Sequence, residues 1–289
     1  MLIDCFKSYD VRGVLGSEVS EEVFHRIGRA TATVLGTKRL VIGYDARESS
    51  PSLSSAFQEG ARSEGSDVFD IGLAGTEEVY FATSHFEADV GIMITASHNP
   101  INYNGIKFVG KGSRPLEVES EFRKIKEVAE LIEDTKDGVG LGELYFKGFE
   151  AREAYVEKVL SFIDVEALSP LRIVVNCGNG AAGPALADIK KYLEIKGSRV
   201  EIIPTLEQPD SSFPNGVPNP ILPQNHHYTA KRVISENADF GVAFDGDFDR
   251  CFFFDRHGIF IPGEIMVSLL GEFFSRGDES ERIVHDPRL

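Results

Sequence analysis

The feature that most constrains this chain is that it repeats itself. A short β-branched run, basic at its start and closed by turn-forming residues, occurs as Arg39-Leu40-Val41-Ile42-Gly43. It recurs as Arg172-Ile173-Val174-Val175-Asn176 and as Arg282-Ile283-Val284-His285-Asp286. Such runs are the pattern of strands buried on both faces. A longer echo links Ala88–Thr95 to Ala238–Asp245 through a shared Ala-Asp-apolar-Gly-apolar order. Helical periodicity precedes each strand of the first kind. Ser20 is placed to cap a helix from Glu21 to Leu35, with Val23, Phe24, Ile27, Val34 and Leu35 largely on one face. Glu150–Phe162 and Glu264–Ser275 carry the same spacing. Alternation of this type predicts repeated three-layer α/β domains with mixed, mainly parallel sheets.

The repeats divide the chain into units 1–148, 149–252 and 253–289. Thr135–Gly142, charged and glycine-rich, suits the first boundary, and Lys111–Pro115 a surface loop. Gln208–Pro223 carries five prolines and predicts a long ordered connection, because proline is excluded from central strands. The third unit opens with a predicted hairpin, Cys251–Phe254 turning through Asp255–Gly258 into Ile259–Ile261. It then supplies one helix and one strand, fewer elements than its counterparts. The expectation is therefore a chain that ends inside a domain, with apolar surface exposed around Ile265, Leu269 and Phe273 that favours self-association.

With 30 basic and 46 acidic residues among 289, the net charge is −16. That balance argues against non-specific binding to nucleic acid or to anionic membranes. An anionic ligand would have to be held by local positive charge. Three scattered cysteines, Cys5, Cys177 and Cys251, form no CxxC pair and suit a reducing compartment. Met1–Lys7 lacks the layout of a secretory signal, and no apolar run approaches ~18 residues. The expected location is the cytoplasm, with no membrane contact.

Several motifs could carry chemistry. Thr95-Ala96-Ser97-His98-Asn99-Pro100 closes an apolar strand, the edge at which open α/β sheets collect ligands. Ser97 offers a nucleophile or phosphoryl carrier and His98 an adjacent acid/base; a plain Ser-Asn-Pro turn is the competing reading. Lys107 sits within the apolar run Asn104–Phe108, where a lysine commonly snorkels to solvent. Asp245-Gly246-Asp247-Phe248-Asp249-Arg250 places carboxylates at every second residue beyond a strand. Hard cations such as Mg²⁺ or Ca²⁺ need such oxygen ligands, and three carboxylates this close repel one another without one. An EF-hand fails, because Arg250 and Arg256 stand where its glycine and glutamate belong. Gly178-Asn179-Gly180-Ala181-Ala182-Gly183 follows a strand and satisfies GxGxxG, with Glu201 as the candidate ribose acid. A tight strand-to-helix turn explains those glycines equally. Lys7, Tyr9 and Arg12 cluster in an N-terminal loop, where Arg12 suits bidentate phosphate contact or a surface ion pair. Arg47 is read as structural.

Taken together, Lys7–Gly13, Thr95–Pro100, Asn104–Phe108 and Asp245–Arg250 resemble the α-D-phosphohexomutase family, and the resemblance runs along the whole chain. Gly75–Phe81, Asn176–Pro184 and Phe213–Pro220 are similar to its bacterial phosphomannomutase branch. The resemblance implies four domains, the first three of one α/β topology, with the phosphoserine loop in 1–148 and the metal loop in 149–252. It implies a phosphoserine at Ser97, and Mg²⁺ held by Asp245, Asp247, Asp249 and a phosphoserine oxygen. Arg12, Tyr9, His98, Lys107 and Arg250 would bind the phosphohexose or assist proton transfer. The implied reaction interconverts mannose 6-phosphate and mannose 1-phosphate through a hexose 1,6-bisphosphate; phosphoglucomutase and phosphoglucosamine mutase are alternatives. The family's sugar-recognition loop in the third domain and its phosphate-gripping fourth domain have no counterpart here, so weak or absent turnover is expected. Rival readings of another class are an NAD-dependent oxidoreductase built on Gly178–Gly183 and a non-catalytic phosphosugar-binding fragment.

Overall fold

The computed structural model describes residues 1–132 and 141–275. The predicted strand at Arg282–Asp286 and most of the Thr135–Gly142 boundary lie outside the described residues. The first half of the chain forms strands β1 (Val11–Val14), β2 (Arg39–Tyr44), β3 (Asp67–Leu73), β4 (Val90–Ile94), β5 (Tyr103–Gly110) and β6 (Leu144–Phe146). They make one sheet in the order β1-β5-β4-β2-β3-β6, parallel from β4 through β6 and antiparallel at β5 and β1. Helices α1 (Glu21–Leu35), α2 (Ser50–Ser63), α3 (Thr76–His85) and α4 (Arg123–Leu131) connect them. Ser20 caps α1 as expected, accepting the Val23 amide at 3.3 Å. The apolar face of α1 packs with α2 and α4 on Leu40, Ile42 and Ile92. On the opposite face, Val79 and Ala82 of α3 cover Val41 and Met93. Every residue of β4 is buried, the mark of a strand covered on both sides.

The second sheet repeats the plan. Strands β7 (Leu171–Asn176), β8 (Val200–Thr205), β9 (Phe240–Phe244), β10 (Cys251–Asp255) and β11 (Phe260–Ile261) run in the order β11-β10-β9-β7-β8. Helix α5 (Gly148–Leu160) lends Ala151 to the first core and Val156 and Leu160 to the second. Helix α6 (Ala182–Ile195) shares its face, while Val233 of α7 (His226–Ser235) packs on the other. The hairpin β10–β11 pairs onto β9 of this sheet, not onto a separate third unit. The physical reason is continuity: β10 follows β9 after a short loop, and antiparallel pairing is the shortest return. Helix α8 (Gly263–Ser275) follows; Ile265, Leu269 and Phe273 are each more than half exposed. Among the described residues no helix is long and apolar enough to cross a membrane.

Helices α1 and α2 cross at backbone contact. A Cβ on Gly28 would lie 2.2 Å from the Phe57 carbonyl oxygen, and one on Gly60 would lie 2.1 Å from that of His25. Gly28→Ala gains about 1 kcal/mol of helix propensity but must force the helices apart. We expect a net loss of about 1–3 kcal/mol, read from urea denaturation; an unchanged or raised midpoint would show that the crossing yields freely.

Candidate functional site

The serine loop leaves β4, and its conformation is imposed from beneath. Asp45, at the end of β2, accepts the Thr95 hydroxyl at 2.7 Å, and the Thr95 oxygen accepts the Ser97 amide at 2.8 Å. Ser97 adopts φ 50°, a left-handed conformation unusual for serine. Arg47 holds it there. Its buried guanidinium donates to the carbonyls of Ser97 (2.8 Å), Asn99 (2.7 Å), Pro100 (2.9 Å) and Tyr103 (3.1 Å), with Asp45 as ion-pair partner at 3.3 Å. The structural reading of Arg47 therefore holds: it is a clamp under the loop. Local backbone bonds that satisfy a plain turn leave the Ser97 hydroxyl to the other loop, where it is buried.

The acidic loop leaves β9 of the other sheet and meets the serine loop directly. A Cβ at Gly246 would stand 2.9 Å from the Ser97 carbonyl oxygen, so glycine is what lets the two backbones approach. Ser97 Oγ donates to Asp245 Oδ2 at 2.8 Å, although 148 residues separate them. Asp245 and Asp247 are fully buried and Asp249 partly exposed, with ligand oxygens of all three within 4.8 Å of one another. Asp247 Oδ1 and Asp249 Oδ1 are buried without a hydrogen-bond partner. Asp249 Oδ1 has only the Arg250 guanidinium at 3.5 Å, and a cluster of carboxylates with spare acceptor capacity fits a divalent cation that takes oxygen ligands.

Cations ring this cluster. Lys107 donates to Asp247 Oδ2 at 2.6 Å and to Asp249, so it does not snorkel to solvent as a lysine in an apolar strand commonly does. The carboxylates across the domain boundary, invisible from the local sequence, hold it inward. Arg250 donates to Ser97 Oγ at 2.6 Å and touches Asp245 and His98. His98 Nδ1 lies 3.2 Å from Ser97 Oγ. Arg12 bridges Asp10 (2.9 Å) and Asn99 (2.8 Å). Tyr9, Arg12, Ser97, His98, Lys107, Asp249 and Arg250 line one open cleft of about 570 Å³, above the buried Asp245 and Asp247.

Burial sets the titration of these groups, with charge modifying it. Burial and then Asp247 push the Asp245 carboxyl up to about 6, against the pull of Arg250. Burial, Arg250 and Arg12 together hold His98 below its ordinary value, so its imidazole stays neutral near pH 7. For Lys107, burial pulls down but Asp247 and Asp249 outweigh it, and the ammonium persists. The site thus offers a nucleophilic hydroxyl, a neutral imidazole beside it, a cation-ready carboxylate cluster and three permanent cations.

The dinucleotide alternative meets a steric objection. A Cβ on Gly180 would stand 2.7 Å from the Gly246 carbonyl oxygen, and one on Gly183 would stand 1.7 Å from that of Glu207. The chain's own backbone fills the space that a pyrophosphate would need. Glu201, the candidate ribose acid, lies near the start of β8, ion-paired with Arg172 at 3.1 Å, and not at the strand's carboxyl end where a ribose would be met. Thr76 lies in the Gly75–Phe81 stretch that carries part of the resemblance, but nothing in that stretch gives it a role at the site. Its hydroxyl donates to Asp247 Oδ2 at 2.7 Å, and no local pattern marks it.

Comparison with known proteins agrees with this geometry. Models described as phosphoglucomutase/phosphomannomutase, alpha/beta/alpha domain I and domain II, match residues 4–136 and 153–258, the second running through β10. A phosphomannomutase of Escherichia coli is 45% identical over 293 aligned residues, covering 100% of this chain and 63% of the relative. A protein of Xanthomonas campestris named phosphohexose mutases is 43% identical, with the same two coverages. A Burkholderia thailandensis crystal structure, described as a phosphoglucomutase/phosphomannomutase family protein, superposes with a TM-score of 0.80 at 32% identity. It covers 95% of this chain and 60% of its own. The chain thus spans just under two thirds of the length of the curated relatives it matches.

Arg47→Met would leave the carbonyls of the serine loop unpaired and the buried Asp45 uncompensated. We expect about 3–5 kcal/mol of destabilisation in urea titrations. Arg47→Lys should recover little, because an ammonium lacks the planar fork that reaches all four carbonyls. Full recovery with lysine would mean that charge alone matters.

Proposed function

This chain belongs to the phosphoglucomutase/phosphomannomutase family, and from that premise we propose that it carries phosphomannomutase chemistry. Ser97 is the phosphoryl carrier, and the substrates are mannose 6-phosphate and mannose 1-phosphate. The observation that carries the reading is the meeting of Ser97 Oγ with Asp245, at 2.8 Å, inside a cleft ringed by Arg12, Lys107 and Arg250. The names of the relatives at about 45% identity favour mannose. Glucose phosphates are the nearest alternative, since the family description includes both sugars.

The unmodified Ser97 hydroxyl satisfies Asp245 as a donor. Phosphorylation would remove that donor and add roughly −1.5 to −2 charge beside three carboxylates. Only a cation can make that arrangement tolerable, which is why Asp245, Asp247 and Asp249 would hold Mg²⁺. Bound there, Mg²⁺ would neutralise charge on the phosphoryl oxygens and polarise the phosphorus. The chain's own groups would do the rest. Arg12, Lys107 and Arg250 orient the anionic sugar in a protein of net charge −16. The sugar's free hydroxyl oxygen forms a bond to phosphorus as the bond to Ser97 Oγ breaks. The hydroxyl proton passes to neutral His98, whose Nδ1 lies beside Oγ and hands a proton to the departing serine oxygen; the return transfer runs the same steps backwards. The resulting hexose 1,6-bisphosphate turns over in the cleft and returns its other phosphoryl to Ser97. Ser97 is then phosphorylated again and the sugar phosphate isomerised.

Two measurements test this reading. Incubation with a hexose 1,6-bisphosphate should add one phosphoryl group to the wild-type chain by intact mass and none to Ser97→Ala. Equal labelling of both removes Ser97 as the carrier. The second uses pH. The raised carboxyl of Asp245 favours its proton in the folded state, so its contribution to metal-free stability is full below 3.8 and lost as pH rises through about 6. A cation needs that carboxylate ionised. Mg²⁺ at about a hundred times its Kd should therefore add ~2.7 kcal/mol near pH 7.5 and markedly less near pH 5. A thermal shift independent of pH would place the ion elsewhere.

A further inference from the structure

The acidic loop belongs to the second sheet, but its central carboxylate is held by the first. At the start of α3, the Thr76 hydroxyl donates to Asp247 Oδ2 at 2.7 Å, and the Thr76 amide donates to the Asp247 carbonyl at 3.0 Å. The Lys107 ammonium completes the set, reaching the same Oδ2 at 2.6 Å and Thr76 Oγ1 at 3.3 Å. Both donors fall on one oxygen, and Asp247 Oδ1 is left buried and unpartnered. The fit around this contact is tight. A Cβ on the preceding Gly75 would lie 2.2 Å from the Phe248 ring, so the acidic loop seats Phe248 where only glycine leaves room. One turn along α3, the buried Glu78 pairs with Arg152 of α5, which also donates to the Leu73 carbonyl at 3.0 Å.

We infer that Thr76 is a positioning residue: its hydroxyl fixes the rotation of the Asp247 carboxylate so that Oδ1 is presented to the divalent cation. The inference rests on the reading of Asp245, Asp247 and Asp249 as the cation site. A carboxylate free to rotate would trade its two oxygens between Lys107 and the ion. Pinning Oδ2 with a hydroxyl and an ammonium removes that choice, and the pin comes from the domain that carries Ser97. Cation affinity and the docking of the two domains are thereby linked through one side chain.

The test is binding of Mn²⁺ alone, followed by its electron paramagnetic resonance signal, to the wild-type chain, Thr76→Val and Thr76→Ser. Thr76→Val keeps the shape and removes the donor. Because that donor serves a buried carboxylate, the metal-free thermal midpoint falls as well, and the informative readout is affinity: Mn²⁺ should weaken by about tenfold or more, ~1.4 kcal/mol. Thr76→Ser keeps the donor and should restore binding to within about threefold. A purely structural contact would lower the midpoint without changing Mn²⁺ affinity in the protein that remains folded. Should Thr76→Val fail to fold, Thr76→Ala removes the same donor from a helix start that accepts alanine. Mn²⁺ affinity within about twofold of wild type in Thr76→Val or Thr76→Ala, or a loss in Thr76→Ser equal to theirs, overturns the inference. A wild-type chain that binds no Mn²⁺ overturns it together with the cation site. A chain that binds Mn²⁺ yet takes no phosphoryl on Ser97 defeats only the proposed function.

Discussion

Mutual repulsion among three carboxylates is the constraint around which this molecule is arranged. Asp245 and Asp247 are fully buried, and burial raises the cost of each charge. The chain meets that cost with donors drawn from both domains: the Ser97 hydroxyl and Arg250 on Asp245, Thr76 and Lys107 on Asp247. None of these pairs is an exposed surface ion pair, for which a few tenths of a kcal/mol would be usual. Each sits where losing one partner strands a buried charge. The two domains are therefore joined by electrostatic necessity at the one place where chemistry is expected.

Close approach of backbones makes that junction possible. Gly246 admits the Ser97 carbonyl, Gly180 admits the Gly246 carbonyl, and the Ala181 amide donates to that same oxygen at 3.0 Å. Serine loop, acidic loop and the strand-to-helix turn of α6 are stacked in series with no side chains between them. Arg47 closes the stack from below, its guanidinium 6.0 Å from the ring of Phe213 in the proline-rich connection. A glycine pattern that looks like a nucleotide fingerprint is here a set of spacers.

What the sequence disclosed and what it withheld follow a physical division. Strands β2, β4, β7 and β9 and helix α1 were legible because burial on both faces and 3.6-residue periodicity are local properties. Ser97 and the acidic loop stood out because each breaks an apolar run at a strand end. From its own strand alone Lys107 reads as a snorkelling lysine, because its partners lie in the other domain, and only the family resemblance brings it to the site; the role of Thr76 has no local signal for the same reason. The hairpin β10–β11 was recognised as a hairpin but given to the wrong unit, since pairing to β9 depends on sheet order. Interactions that cross between repeats have no spacing signature.

The repetition itself explains why the two loops meet. In the first sheet β2, β4 and β5 succeed one another with the last strand antiparallel; in the second, β7, β9 and β10 do the same. The serine loop joins β4 to β5 and the acidic loop joins β9 to β10. Both therefore occupy the equivalent reversal, where a parallel sheet turns antiparallel and the chain must leave the sheet edge with an irregular backbone. Ser97 at φ 50° and Phe248 at φ 43° are the left-handed residues of the two reversals. One scaffold thus supplies the same strained turn in two places, and packing the repeats edge to edge brings the turns into contact. Side-chain chemistry then separates them: one turn presents a hydroxyl, the other carboxylates, and the contact between them joins a donor to acceptors that would otherwise be buried unpaired.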